Sequence, residues 1–295
     1  MSFPLTTAQR PARLHEGFGL APFDRIPVAI LVGMAAIAFF GNIGAGIPWQ
    51  RVWVPFVPIG LLTGALAIGR TGRSRALAET AFYAGLWMAL MAVGIQLTYL
   101  GNGLALPLRD TAFERADLAL GFHWLAWVQF VDRHRWLSIL QWLVYETNVV
   151  QPFLCVGIFV ALGRRDRNAE LLTAILIGLA VTIVVSSLLP ALGPADAYGI
   201  ETSFAPVIRA LRSGHLTPLP YEGIVSFPSF HTVMAILFAY AHRGLRRTFL
   251  PFLGLNVLML FTIPYCGQHY LIDVAGGAVV AGLAIAATRR LRLSN

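Results

Sequence analysis

The residues of this chain best suited to chemistry lie in two short runs, Pro228-Ser229-Phe230-His231 and His269-Tyr270-Leu271-Ile272-Asp273, each at the head of an apolar stretch. Residues four apart share a helix face, so Asp273 lies one turn beyond His269 and can accept a hydrogen bond from its ring. That bond fixes the tautomer and leaves the other ring nitrogen as an unprotonated nucleophile or base. In the first run, Pro228 suits the start of a helix and Ser229 reads as its N-cap. The freed amides of Phe230, His231 and Thr232 then form a cradle for an anion such as phosphate, aided by the helix dipole. His231, in that first turn, is placed to hand a proton to a departing oxygen. Each run also has a plainer reading: His269 and Asp273 as a satisfied pair between helices, and His231 as a ring facing headgroups from a capped helix. What favours chemistry is the two runs together. The chain leaves the first run along one apolar segment and returns along the next, so both histidines come to one membrane face, where ionisable side chains mark function by default.

The elements that must position these residues are membrane spans. Of 295 residues, 57% are hydrophobic and 12% charged, and the mean hydropathy is +0.69, far from soluble averages. At roughly 20 residues per span, the chain has room for about eight: 26 to 46, 52 to 69, 76 to 100, 136 to 162, 169 to 189, 229 to 242, 248 to 264 and 268 to 288. The expected fold is all-α, a polytopic helical membrane bundle, with Pro152 kinking the fourth span. It divides into a cytoplasmic N-terminal tail (1 to 25), three N-terminal transmembrane helices (26 to 100), an interfacial outer segment (101 to 135), a catalytic membrane domain (136 to 288) and a basic tail (289 to 295). The interfacial segment mixes Arg109, Asp110, Glu114, Arg115 and Asp117 with Phe113, Trp124, Trp127 and Phe130. This is the pattern of helices lying on a membrane surface. Residues 190 to 227, rich in proline and glycine, read as an irregular outer loop. The first apolar run has the length of a span and is expected to remain as an anchor.

The net charge of +8 comes from arginine alone, because the chain has no lysine. Arg10, Arg13 and Arg25, then Arg70, Arg73 and Arg75, then Arg164, Arg165 and Arg167, then Arg243, Arg246 and Arg247, and finally Arg289, Arg290 and Arg292 cluster in alternate loops. By the positive-inside rule these loops and both termini are cytoplasmic. The histidines then face the opposite side, with a bacterial inner membrane as the expected setting. The basic balance reads as topology and attraction to anionic lipid, and no nucleic-acid partner is expected. Arg209 and Arg212 in the outer loop are candidates to fold back onto phosphate. Glu146, Asn148 and Gln151, with Tyr145, form a polar band in the fourth span that must face protein or a watery cavity. Together with Tyr270 they are candidates for an acceptor pocket, or else a hydrogen-bond network between helices. Glu79 and Glu170 read as helix-dipole partners, and Gly276, Gly277 and Gly282 as close helix contacts. Cys155 and Cys266 form no motif, so no disulfide is expected. Two histidines without a third ligand at short spacing make a weak metal signature, so no metal is expected. His15, His123, His134, His215 and His242 receive no role.

Taken in order, Pro-Ser-x-His followed by His-x-x-x-Asp resembles the type 2 phosphatidic acid phosphatase (PAP2) superfamily. Phe230, where many members have glycine, and Gln268-His269-Tyr270 leading to Asp273 resemble its inositol phosphorylceramide synthase branch, with Pro-Ser-Leu-His and His-Tyr-x-x-Asp. The resemblance spans roughly residues 136 to 288. It implies that His269 attacks phosphorus to form a phosphohistidine, that Asp273 orients it and that His231 protonates the leaving alcohol, with no metal or cofactor. It further implies a membrane phosphotransferase or phosphatase whose substrate is a phospholipid or another phosphorylated lipid. The chain departs from the pattern in its cations. The upstream Lys-x6-Arg-Pro motif of many members has no counterpart in the segment from Leu189 to Tyr198, and the arginine they carry six residues before the nucleophile is Ile263. This weighs more against hydrolysis of a doubly charged monoester than against transfer on a diester. Two readings from other classes stand beside the enzyme: a transporter, which expects helices broken at mid-membrane, and a b-type haem protein ligated by His231 and His269.

Overall fold

In lipid a backbone must satisfy its N–H and C=O groups internally, so apolar runs of this length become helices. The computed structural model describes residues 19–47, 56–71, 74–214 and 222–293. Arg10, Arg13, His15, Arg73, His215 and most of the N-terminal tail lie outside the described residues. The helices are α1 (Pro22–Ala45), α2 (Phe56–Thr71), α3 (Arg75–Gly103), α4 (Asp110–Ala119), α5 (Trp124–Arg133) and α6 (Arg135–Ala161), followed by α7 (Arg165–Leu188), α8 (Pro194–Ala197), α9 (Phe204–Arg212), α10 (Phe230–Ala241), α11 (Phe249–Cys266) and α12 (Leu271–Leu293). Among the described residues there is no strand. Six helices, α1, α3, α6, α7, α11 and α12, are long and apolar enough to cross a membrane, while α2 and α10 are shorter apolar helices. The chain is an all-α, multi-pass membrane bundle. Helix α6 runs through Pro152 without a break.

Helices α3 and α7 form the centre. The core gathers Tyr83, Trp87 and Leu90 of α3 with Leu172, Ile175 and Leu176 of α7 and Val233, Leu237 and Phe238 of α10. Helix α12 packs on α7 and α10, and α11 packs on α6 and α10. Several polar side chains inside the bundle pair across helices, which lowers the cost of burial in an apolar medium. Asn42 donates to Gln96 Oε1 at 3.2 Å, and Asn256 donates to Gln151 Oε1 at 2.8 Å.

One end of the bundle is tied by arginine. Arg165 at the start of α7 pairs with the fully buried Asp24 of α1, which also accepts from the Tyr83 hydroxyl. Glu170 accepts from both Arg243, just past α10, and Arg292, near the end of α12. Glu79 pairs with Arg75 at 2.9 Å. Glu79 also lies 3.9 Å from Arg165 of α7, so Glu79 and Glu170, near helix starts as expected of dipole partners, are in addition ion-pair partners joining segments. The arginine-rich loops expected on one face do meet at one end, and α4, α5, α8 and α9 lie towards the other.

Removing Arg165 leaves Asp24 buried without its cation, which costs roughly 3–5 kcal/mol. Arg165→Met is expected to lower the thermal unfolding midpoint in detergent by several degrees. The Asp24→Asn, Arg165→Met double variant is expected to melt closer to the wild type than Arg165→Met alone.

Candidate functional site

Helix α12 begins inside the protein, and its first amides, which have no partner within the helix, are met by carboxylates. Asp117 of α4 accepts from Leu271 N at 2.7 Å and from Ile272 N at 2.9 Å. Asp273 accepts from Tyr270 N at 3.1 Å through Oδ2. The same Oδ2 accepts from the Ser226 hydroxyl at 3.0 Å and lies 2.9 Å from His269 Nδ1. With Nδ1–H donating to Asp273, His269 Nε2 carries the free lone pair. Both side chains are buried, and Gln268, immediately before His269, takes the left-handed conformation at φ +52°. A residue with a side chain is strained there. Gly267 leaves no room for one of its own, since a Cβ would lie 2.7 Å from His269 Cδ2 and 3.2 Å from the Tyr145 hydroxyl.

The first run is built against this turn. Ser229 N-caps α10 by accepting from Thr232 N at 3.4 Å, and Ser229 N donates to the Asp273 carbonyl at 3.0 Å. The two runs are thus joined through backbone. Close approach depends on Gly277, where a Cβ would lie 2.5 Å from the Ser229 carbonyl, and on Gly276, where it would lie 2.7 Å from the Phe227 ring. Gly282 has nothing within 4 Å, so it is not the close contact expected of it. The His231 and His269 rings stand 6.2 Å apart between centroids at 68°, and the Tyr145 hydroxyl lies 3.2 Å from His231 Nε2. Asn102 at the end of α3 holds the approach to the run by donating to the Ile224 carbonyl at 3.0 Å.

The two imidazoles share a cavity of about 470 Å³, whose other walls include Ser226, Glu222, Tyr145 and Gln268. Among the described residues no arginine lines it. Helix α10 has 12 residues and rises roughly 18 Å at 1.5 Å per residue. A hydrocarbon layer is about 30 Å thick. Since α10 ends at the arginine-tied end, the histidines lie at its other end, separated from the arginines by less than the thickness of such a layer.

Several expected positions differ. Ser229 and Thr232 are fully buried against α12 and Phe230 packs on the core, so their side chains do not face the cavity. What remains as a cradle is the pair of first-turn amides of Phe230 and His231. Arg209 pairs with Asp196, and Arg212 donates to the Ala105 carbonyl at 3.4 Å. Neither lines the histidine cavity, since Asp196 holds Arg209 and Arg212 lies one turn beyond the cavity-lining Ile208. Gln151 belongs to the α6–α11 contact with Asn256, and Asn148 is buried without lining a cavity. Glu146 does line one, adjacent to the first. Tyr270 is buried under α4, its hydroxyl donating to Asp110 Oδ1 at 3.2 Å.

The residues that sequence reasoning did not single out as a site are Asp110, Asp117 and Ser226, while Tyr145 of the expected polar band is brought against His231. Asp110 accepts from Leu192 N at 3.0 Å and from Gly193 N at 2.9 Å. Gly193 sits at φ +94°, where glycine is favoured. Helix α4 is therefore fastened to the protein by both acids, where a helix resting on the membrane surface was expected. Burial pushes the Asp110 and Asp117 carboxyls above the usual range, with the amide hydrogen bonds pulling back.

A histidine pair with one carboxylate behind it, in a multi-pass bundle, defines a membrane protein equipped for acid–base or nucleophilic chemistry. The PAP2 superfamily profile matches residues 111–287. The chain belongs to the PAP2 superfamily, a class of phosphatase- and phosphotransferase-type lipid enzymes. The match begins at the start of α4, upstream of residue 136. Comparison with curated proteins and with solved structures gives no match.

Two outcomes test the architecture of the site. Gly277→Val is expected to force the runs apart, costing about 1–3 kcal/mol and lowering lipid turnover. Gly282→Ala, placed in open space, should leave both unchanged. In Asp117→Ala, hydrogen–deuterium exchange at Leu271 and Ile272 is expected to quicken, as loss of a helix cap worth about 1–2 kcal/mol implies. Unchanged protection there would show that α4 does not hold the helix start.

Proposed function

We propose that the protein is a membrane lipid phosphotransferase or phosphatase that works through a phosphohistidine on His269. The observation that carries this reading is the bond between His269 Nδ1 and Asp273 Oδ2 at 2.9 Å, with His231 across the same cavity. The lone pair of His269 Nε2 attacks phosphorus while the bond from phosphorus to the ester oxygen breaks. The departing alcohol takes its proton from the His231 imidazolium. In the second half an alcohol or water gives its proton back to His231 as its oxygen attacks phosphorus, and the bond to His269 breaks. Asp273 holds the ring and stabilises the charge that develops on it, and Ser226 and the Tyr270 amide hold Asp273. The amides of Phe230 and His231, at the positive end of α10, face the phosphoryl oxygens.

Transfer on a diester fits better than hydrolysis of a monoester, since no described arginine lines the cavity and Glu222 does. The sequence Phe230 with Gln268-His269-Tyr270 also favours a synthase-like branch that moves a phosphorylated head group between lipids. Plain hydrolysis of a lipid phosphate or diphosphate is the second reading, since the first half-reaction is common to both. The site opens away from the arginine-tied end, which the positive-inside rule assigns to the non-cytoplasmic face.

Protein quenched in denaturant during turnover of a labelled phospholipid is expected to carry acid-labile phosphate on His269. His269→Ala should abolish turnover and Asp273→Asn should reduce it by on the order of 10²–10⁴-fold. Turnover persisting in His269→Ala ends the mechanism. Product analysis with and without added alcohols separates transfer from hydrolysis.

A further inference from the structure

A second cavity, of about 610 Å³, adjoins the histidine cavity and shares Tyr145, Cys266 and Gln268 with it. Its composition differs sharply. Trp124, Trp142, Tyr145 and Tyr265 line it together with two carboxylates, Asp132 and Glu146, and among the described residues no arginine or histidine does. The aromatic walls are held in place: Trp124 donates its indole N–H to the Pro264 carbonyl at 2.7 Å and stacks on Tyr198 at 5.9 Å, and the Tyr265 hydroxyl donates to Asp132 Oδ1 at 2.6 Å. Glu146 and Asp132 are exposed, and Glu146 makes no hydrogen bond or ion pair among the described residues. The cavity wall thus carries negative charge that no described cation of that wall offsets. A cation entering it is attracted by that charge. Aromatic faces beside carboxylates are the surroundings in which an ammonium group gains both ion pairing and cation–π attraction. A neutral polyol could bond to the carboxylates but would leave their charge uncompensated.

We propose that this cavity binds the ammonium group of an amino alcohol, choline- or ethanolamine-like, while the phosphoryl group to which that alcohol is or becomes esterified sits between His231 and His269. The proposal rests on the phosphohistidine reading and adds to it the class of head group. Ile139 and Trp142, both about half exposed at 49% and 56%, form the outer wall. The cavity is therefore open at this wall, which gives a head group a way in. Phosphate and ammonium then meet cavities of matching character: imidazoles and helix amides for the first, carboxylates and rings for the second.

The test uses the full chain purified in detergent. Binding of tetramethylammonium, choline and inositol is followed by saturation-transfer NMR. Tetramethylammonium and choline are expected to bind saturably and inositol not to displace them. Glu146→Gln and Trp142→Ala, each first checked for a wild-type melting profile, should each weaken ammonium binding by about tenfold. His269→Ala should bind ammonium as the wild type does. No saturable ammonium binding, unchanged affinity in both cavity variants, or displacement by inositol overturns the proposal. Turnover identifies the source of the ammonium. Preferential consumption of phosphatidylcholine over phosphatidylinositol makes it the head of the donor lipid, and consumption of a donor only when choline is added makes it the acceptor. Ammonium binding that depends on Glu146 in a protein that turns over no lipid would sink the enzymatic reading while leaving this cation site in place.

Discussion

The first turn of α12 is half-buried against α4, and its amides find acceptors within the protein. Carboxylates supply them: Asp273 for Tyr270, and Asp117 of α4 for Leu271 and Ile272. Two anions thus sit at the positive end of a 23-residue helix, where the dipole stabilises them. Because Asp273 Oδ2 also meets His269 and Ser226, the docking of α4, the start of α12 and the orientation of the ring form one electrostatic unit. The carbonyl of Asp273 extends that unit to Ser229 and so to the cap of α10. A change in any part of it reaches His269 through two or three hydrogen bonds.

Legibility in the sequence follows the range of the interaction. The pairing of His269 with Asp273 and the capping by Ser229 are contacts within one turn of helix, and spacing reveals them. The bundle was legible for a similar reason, since long apolar runs admit few structures in lipid. Asp110 and Asp117 were not. Amphipathic spacing says that α4 has a polar face, but not whether that face meets water or the bare amides of another helix. Backbone N–H groups are the same for every residue type, so their need for an acceptor leaves no mark at Leu192 or Leu271. Arg209 and Arg212 illustrate the reverse error. A cation in a loop near a phosphate site is a natural candidate until the fold shows Asp196 and a carbonyl taking the guanidinium groups.

Glycine makes the same distinction at close range. Gly277 and Gly282 look alike in an apolar helix, yet only Gly277 meets another backbone. The face of α12 that carries Asp273 also carries Gly277, four residues on, so one stripe both orients the histidine and admits the neighbouring turn. Which glycine lies on that stripe is set by the position of α10, and α10 is placed by tertiary packing alone.

Charge is distributed along the bundle in a way that bears on the chemistry. Arginine is concentrated at the far end, paired with Asp24, Glu79, Asp166 and Glu170. The site keeps two imidazoles, the amides that open α10, and carboxylates at Asp273 and Glu222. A dianionic monoester placed there would face those carboxylates with no described guanidinium to offset them, and at low dielectric that repulsion grows. A diester brings one negative charge, which one imidazolium and a helix N-terminus can balance. The second cavity alongside, lined by acids and aromatic rings, then has a charge of the opposite sign to accommodate. On the proposed reading, the departure of this chain from the cation-rich pattern is a statement about substrate charge: no described arginine lines the cavity to offset a doubly charged phosphate, and the groups that do line it suit a phosphate already bearing a second ester.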